Sequence, residues 1–209
     1  MSASLVAIVG GLGAVHLAAY YGGRRALAGT VKAIPILLLA WTVWTHGDHG
    51  GVRGWIALGL MLSAVGDVSL VFPNGFLAGL SGFFAAHVCY VAAFATGATP
   101  TAPALLVAAI LAAFAVGMLG YLWPHVARLR VPVTAYVACL SLMAWCAIAR
   151  AMAPGAGWPE TAGALGACSF LASDGVLSVD RFARRFAAAH AVVMVTYYAA
   201  QTLIARAAL

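Results

Sequence analysis

The stretch "SAVGDVSLVF", Ser63 to Phe72, decides the fold. It closes an apolar run over 54–72 that has about the length of a membrane helix, ~20 residues, and it carries one carboxylate, Asp67. A second stretch, "FLASDGVLSV", Phe170 to Val179, repeats the arrangement with Asp174. Neither stretch alternates polar with apolar residues, and both runs are about twice too long for the strands of a membrane barrel. An aspartate at the centre of a membrane helix costs about 2.5–3.5 kcal/mol on insertion. Each therefore needs a partner, a polar cavity or a function to offset that cost.

The same pattern extends in both directions. Eight apolar segments span 3–21, 29–45, 54–72, 78–97, 102–122, 131–150, 161–179 and 186–206. The second is short and holds Pro35. Short connections rich in Gly, Pro and charge join them, among them "GGRR", "FPNG" and "APGAGWP". The chain is predicted to be an all-α, multi-pass bundle of eight transmembrane helices, with residues 1–209 forming a single transmembrane domain. Composition agrees. Hydrophobic residues make up 65% of the 209 and charged residues 8%, where a soluble domain carries about 25% charged. The lipid bilayer is the expected surrounding. Nucleic acid is excluded as a partner, because the basic residues are scattered and build no face with interleaved aromatics. The four cysteines, Cys89, Cys139, Cys146 and Cys168, lie within apolar runs and read as buried free thiols. The first apolar run has its arginines, Arg24 and Arg25, after it, which fits a retained span and not a cleaved leader.

Charge sets the expected orientation. The loops after segments 1, 3, 5 and 7 hold Arg24, Arg25, Lys32, Arg128, Arg130, Arg181, Arg184 and Arg185, whereas the other side holds Arg53, Arg150 and Arg206. The positive-inside rule puts the first set in the cytoplasm and both termini outside. Alanine and glycine enrichment of the kind seen in high-GC bacteria points to the plasma (inner) membrane. In this arrangement Asp67 and Asp174 each precede a cytoplasmic helix end by one or two turns. Lys32, Tyr136 and His190 fall near that same face, with His87 somewhat deeper. These side chains are expected to line one cavity in the cytoplasmic half. "GDVSL" followed by "FFAAH" also echoes "SDGVL" followed by "FAAAH", four spans later, as a parallel repeat would.

Paired carboxylates in a low-dielectric pocket favour one protonated and one ionised form, which suits acid–base chemistry. A buried ion pair of Asp67 with Lys32 that fixes helix packing is the structural alternative. Asp48, Glu160 and Asp180 read as solvated charges. His87 is a ligand, a base or a hydrogen-bonded packing residue, and His190 reads as structural. His16, His46, His49 and His125 fall at helix ends or in loops. "HGDHG", His46 to Gly50, has a metal-like composition but is short and exposed. Carboxylates with imidazole suit zinc, so Asp67, His87 and Asp174 are also a conceivable metal site. Tyr197 and Gln201 lie four residues apart, where they can bond each other or a substrate, or act as glue between helices.

The ordered set "VKAIPILLLAW", "SAVGDVSL", "FLAGLSGFFAAHVCYVAAF", "VPVTAYVACLSLMA", "GALGACSFLASDGVLSV" and "TYYAAQTLI" resembles the YhhN-type, lysoplasmalogenase-like integral membrane proteins over about residues 24–206. The resemblance implies a hydrolase that cleaves the vinyl ether bond of 1-alkenyl lysophospholipids, giving a fatty aldehyde and a glycerophospho-alcohol. It maps the family's functional aspartates onto Asp67 and Asp174, expected to be catalytic. It marks Lys32, His87, Tyr136, Tyr197 and Gln201 as recurrent positions, expected to bind substrate. Lys32 or a nearby arginine would hold the lipid phosphate, and no metal or organic cofactor is needed. The family often has a bulkier apolar residue where this chain has Gly175 or Ser69, which bears on pocket width. Two other classes stay open at this level. One is a small transporter or proton-coupled carrier, since membrane carboxylates also mark ion paths. The other is a metal-dependent hydrolase of another lysolipid. The alkaline-ceramidase pattern is absent, because His190 is followed by Met194 where a second histidine would stand.

Overall fold

The computed structural model describes residues 1–46 and 50–209. Of the "HGDHG" stretch, Gly47, Asp48 and His49 lie outside the described residues, so the solvated-charge reading of Asp48 and the metal-like reading of that loop do too. All regular elements among the described residues are helical: α1 (Ala3–Tyr21), α2 (Arg25–Lys32), α3 (Ile34–Thr45), α4 (Gly51–Ser69), α5 (Phe76–Ala95), α6 (Ala102–Val126), α7 (Arg130–Ala151), α8 (Trp158–Ser178) and α9 (Ala189–Arg206). A π-turn, Val179–Ala183, continues α8. Six stretches of the described chain are long and apolar enough to cross a membrane. The chain is a multi-pass helical bundle.

The helices form a closed ring in the order α3, α4, α5, α7, α8, α9, with α9 returning to α3. Outside the ring, α1 lies against α9 and α2, and α6 lies against α7. Between α6 and α7 the chain turns at Ala127, whose φ of 34° is foreign to helix. The Trp145 indole N–H near the end of α7 donates to the Ala104 carbonyl near the start of α6 at 2.9 Å. These two helices are therefore an antiparallel hairpin. Large apolar side chains such as Trp41, Val116 and Val131 face outward, as lipid contact requires.

Backbone closeness explains the tightest pairs. A Cβ added at Gly66 on α4 would meet the Phe83 ring at 2.8 Å, and one at Gly82 on α5 would meet the Gly66 backbone at 3.0 Å. On α8, a Cβ at Gly166 would stand 3.0 Å from the Ala200 carbonyl of α9. Small residues at these crossings let membrane helices pack by van der Waals contact, in place of a hydrophobic drive that lipid does not supply.

The apolar segment over 29–45 lies in one candidate span, Arg25–Thr45, that is broken into two helices, α2 and α3. The break falls at Ala33, between Lys32 and Ile34, with Pro35 in the first turn of α3. Pro35 has no N–H to continue the ladder. The Ala33 N–H closes back on the Val31 carbonyl, and the Tyr198 hydroxyl donates to the Lys32 carbonyl at 3.1 Å. Neighbouring side chains thus satisfy backbone groups that a break would leave bare in lipid. The break also turns Lys32 toward the interior of the bundle.

Candidate active site

Asp67 lies two residues before the end of α4 and is 1% exposed. Its Oδ1 accepts an ion pair from Lys32 Nζ at 3.0 Å, and its Oδ2 accepts a hydrogen bond from the Tyr197 hydroxyl at 2.6 Å. Three helices meet at this carboxylate: α2 brings the lysine, α4 the aspartate and α9 the tyrosine. The ion pair that the sequence raised as an alternative is present. It does not exclude a catalytic role, since each carboxylate oxygen retains a second lone pair.

Asp174 has a different setting. It lies four residues before the end of α8 and accepts on Oδ2 a short hydrogen bond from the Tyr136 hydroxyl of α7. The ion pairs among the described residues are Lys32–Asp67 and Arg150–Glu160, so no cation is in contact with Asp174. Its second oxygen is left for another partner.

Both carboxylates line one cavity of about 160 Å³ at the end of the bundle where α4 and α8 finish and α5, α7 and α9 begin. Lys32, Tyr136 and Tyr197 share its wall, and the remaining lining is mostly aliphatic and aromatic. A long apolar chain with one polar end suits such a space. The YhhN family pattern matches residues 27–208. The chain belongs to the YhhN family.

Among relatives, the chain is 41% identical to Lysoplasmalogenase TMEM86B of Homo sapiens over 186 residues, which is 87% of this chain and 75% of the human protein. It is 34% identical to a protein named Lysoplasmalogenase from Mycobacterium bovis over 190 residues, 87% of this chain and 70% of that one. It is 32% identical to Lysoplasmalogenase TMEM86A of Bos taurus over 188 residues, 85% of this chain and 76% of the bovine one. No solved structure matches it.

Of the positions singled out in this YhhN-family sequence, six come together on the cavity wall: Lys32, Asp67, Tyr136, Asp174, His190 and Tyr197. His87 and Gln201 stand behind that wall. The His87 ring packs against Phe170 and Tyr136, with ring centroids 4.6 and 5.2 Å away, and its Nδ1–H donates to the Phe83 carbonyl at 2.5 Å. Gln201 Oε1 accepts from the Tyr90 hydroxyl at 2.8 Å, and Tyr90 lies 3.4 Å from Ser63 Oγ. Tyr197 and Gln201 share a helix face; the tyrosine hydroxyl donates to Asp67 and the amide oxygen accepts from Tyr90. Among the described residues no three His, Cys, Asp or Glu side chains cluster as metal ligands.

One cavity residue was not expected there. Arg181, on the π-turn after α8, lines it, while His190, in the first turn of α9, lines it as the sequence expected. His190 is not an isolated structural residue. Its Nε2 lies 3.0 Å from His16 Nε2, and Tyr20 stacks on its ring at 3.5 Å. His16, expected at a helix end or in a loop, is buried between α2 and α9. Its Nδ1 donates to the Ala28 carbonyl at 2.9 Å. A carbonyl only accepts, so in the neutral ring Nε2 is the acceptor for His190. The local sequence gives no sign of this pair, whose members are 174 residues apart. The echo between "FFAAH" and "FAAAH" likewise does not extend to the surroundings of the two histidines.

Proposed function

We propose that this protein is a membrane lysoplasmalogenase that hydrolyses the vinyl ether bond of 1-alkenyl lysophospholipids to a fatty aldehyde and a glycerophospho-alcohol. Family membership and the names of the relatives support the reaction. The observation that carries the mechanism is that two carboxylates share one largely apolar cavity but have unlike partners. A vinyl ether is hydrolysed by protonation at carbon, which gives an oxocarbenium ion that water then captures. That sequence needs a general acid, a negative charge near the cation and a base for water.

Asp174 is the general acid in this reading. No cation is in contact with it, and Tyr136 donates to one oxygen, which leaves the other to carry the proton toward the substrate. Asp67 is the charged partner. Lys32 and Tyr197 favour its anionic form, and its remaining lone pairs face the developing cation and then the attacking water. The proton that Asp67 takes from water returns to the departing oxygen as the hemiacetal collapses. Asp174 is reloaded from the hemiacetal hydroxyl, so no net proton is consumed. No metal or organic cofactor enters these steps.

The membrane topology belongs to the same proposal. The α6–α7 hairpin turns one of the six apolar stretches into two crossings, and α9 adds another, giving eight across a single transmembrane domain over 1–209. The distribution of arginines supports both termini outside, the cavity in the cytoplasmic half and residence in the plasma membrane.

The test is aldehyde release from a lysoplasmalogen by the purified protein in detergent micelles. Asp67→Asn and Asp174→Asn are each expected to lose about 100-fold or more, the range of general acid–base catalysis, while staying folded. Absence of aldehyde from the wild type would overturn the substrate. A wild-type rate in Asp174→Asn would overturn the mechanism.

A further inference from the structure

We propose that Arg181 is the phosphate-binding residue of this cavity, and that it makes the enzyme select 1-alkenyl lysophospholipids over the corresponding phosphate-free 1-alkenylglycerols. This rests on the lysoplasmalogenase reading and adds to it the residue that recognises the head group. The sequence left that role to Lys32 or a nearby arginine. The structure makes Lys32 the weaker candidate, because its charge is already matched by Asp67 at 3.0 Å. Of the basic side chains on the cavity wall, His190 is engaged by His16 and stacked by Tyr20. Arg181 remains.

Its geometry suits an anion. The guanidinium carbon lies over the Phe76 ring, 4.7 Å from the centroid, and Phe76 itself lines the cavity. Stacking fixes the plane of the fork and leaves its N–H edges for a ligand. Among the described residues no carboxylate pairs with those edges. The side chain is exposed, at the rim and not the floor. A guanidinium grips a phosphate through two parallel hydrogen bonds, which an ammonium cannot reproduce.

The register matches the substrate. Arg181 follows Asp174 by seven residues along α8 and its π-turn, and both line the cavity, separated by about 10 Å of rise. In a 1-alkenyl lysophospholipid the vinyl ether oxygen is on one terminal carbon of glycerol and the phosphate on the other. With the reacting bond at Asp174, the glycerol backbone leads the phosphate toward the rim, and the arginine side chain reaches back to meet it. The alkenyl chain then runs the opposite way, along the apolar wall that includes Leu140 and Met194. Arg184 and Arg185, close by in sequence, are exposed and do not line the cavity. They serve as controls for general surface charge.

The experiment compares wild type, Arg181→Gln, Arg181→Lys and Arg184→Gln in one detergent. Binding of the non-hydrolysable 1-alkyl lysophospholipid and of 1-alkylglycerol is measured by calorimetry, and aldehyde release is measured from the two alkenyl counterparts. Loss of a charge-assisted hydrogen bond corresponds to about a 10- to 100-fold weakening. Arg181→Gln is expected to weaken lysophospholipid binding by that factor and to raise KM with little change in kcat. Its handling of the glycerol compounds should be unchanged, with Arg181→Lys intermediate and Arg184→Gln like the wild type. Equal loss on both substrate types would show a packing role against Phe76 and overturn the proposal, as would unchanged lysophospholipid binding. If the wild type binds the phosphate compound through Arg181 but releases no aldehyde, the phosphate assignment stands and the lysoplasmalogenase reading falls.

Discussion

Replacing Lys32 by methionine removes the ammonium from Asp67 and keeps a side chain of similar length, so the perturbation is electrostatic. Asp67 is 1% exposed and would retain only the Tyr197 hydroxyl. Removing one member of a buried pair costs about 3–5 kcal/mol, because the other charge is left uncompensated. The loss has a ceiling, since the orphaned carboxyl can take up a proton. Protonating an ordinary carboxyl at pH 7 costs about 4 kcal/mol. For a chain of this size that loss lowers the unfolding midpoint by about 8–16 °C. The proton is held in the folded variant and not in the unfolded chain. Acid therefore favours the folded variant, and each pH unit downward recovers about 1.4 kcal/mol. Adding Asp67→Asn to Lys32→Met removes both charges and should restore most of the midpoint, with no return of activity. The assay is thermal unfolding in one detergent at pH 7 and pH 6, with aldehyde release measured alongside. A Lys32→Met midpoint equal to the wild type at pH 7 would refute the reasoning, as would a double variant no more stable than the single one.

Tyr136→Phe removes the donor to Asp174 and should lower kcat by about 10-fold, the value of one lost hydrogen bond to a reacting group, with the midpoint nearly unchanged; a wild-type kcat would place the tyrosine outside the mechanism. Gly66→Leu forces a side chain into the Phe83 ring, where even a Cβ would stand 2.8 Å away. Such overpacking should cost about 1–3 kcal/mol, read as a lower midpoint, whereas Gly117→Leu on the open side of α6 should be silent. His87→Phe keeps the ring packing behind the wall and should leave aldehyde release unchanged; a large fall in kcat would return His87 to the site.

The parts of the site legible in the sequence are those where the energetic argument is local. An aspartate in an apolar helix needs an explanation wherever it stands, and its distance from a helix end gives its depth. That was enough to bring Asp67, Asp174, Lys32, Tyr136 and His190 to one end of the bundle, whereas Tyr197 entered the site only through the family resemblance. Pro35 marked the weak point of the second span, but not that the break would aim Lys32 inward. His87 was misplaced because depth along a helix says nothing about rotation around it, and a turn of the face puts a side chain behind the wall, whereas Gln201 bonds Tyr90 of α5, as the alternative of glue between helices had it. Arg181 was hidden by its own charge, which read as an interfacial arginine like its neighbours. The His16–His190 pair depends on α1 lying beside α9, a contact between the two ends of the chain that no local pattern encodes.

Lys32 is the only lysine in the chain. On the proposed chemistry, the space it faces generates a long-chain aldehyde at every turnover. Aldehydes condense with free amines to imines, with loss of water, and a free lysine amine on this wall would be trapped by the enzyme's own product. An ammonium has no lone pair to attack with. On that chemistry the 3.0 Å contact with Asp67 would have a second consequence: it holds the lysine nitrogen against a carboxylate and away from an aldehyde. The ten arginines that make up the rest of the basic complement are unreactive toward aldehydes under the same conditions. For a protein that works in a membrane where its product dissolves and lingers, that choice of cation is chemical self-protection.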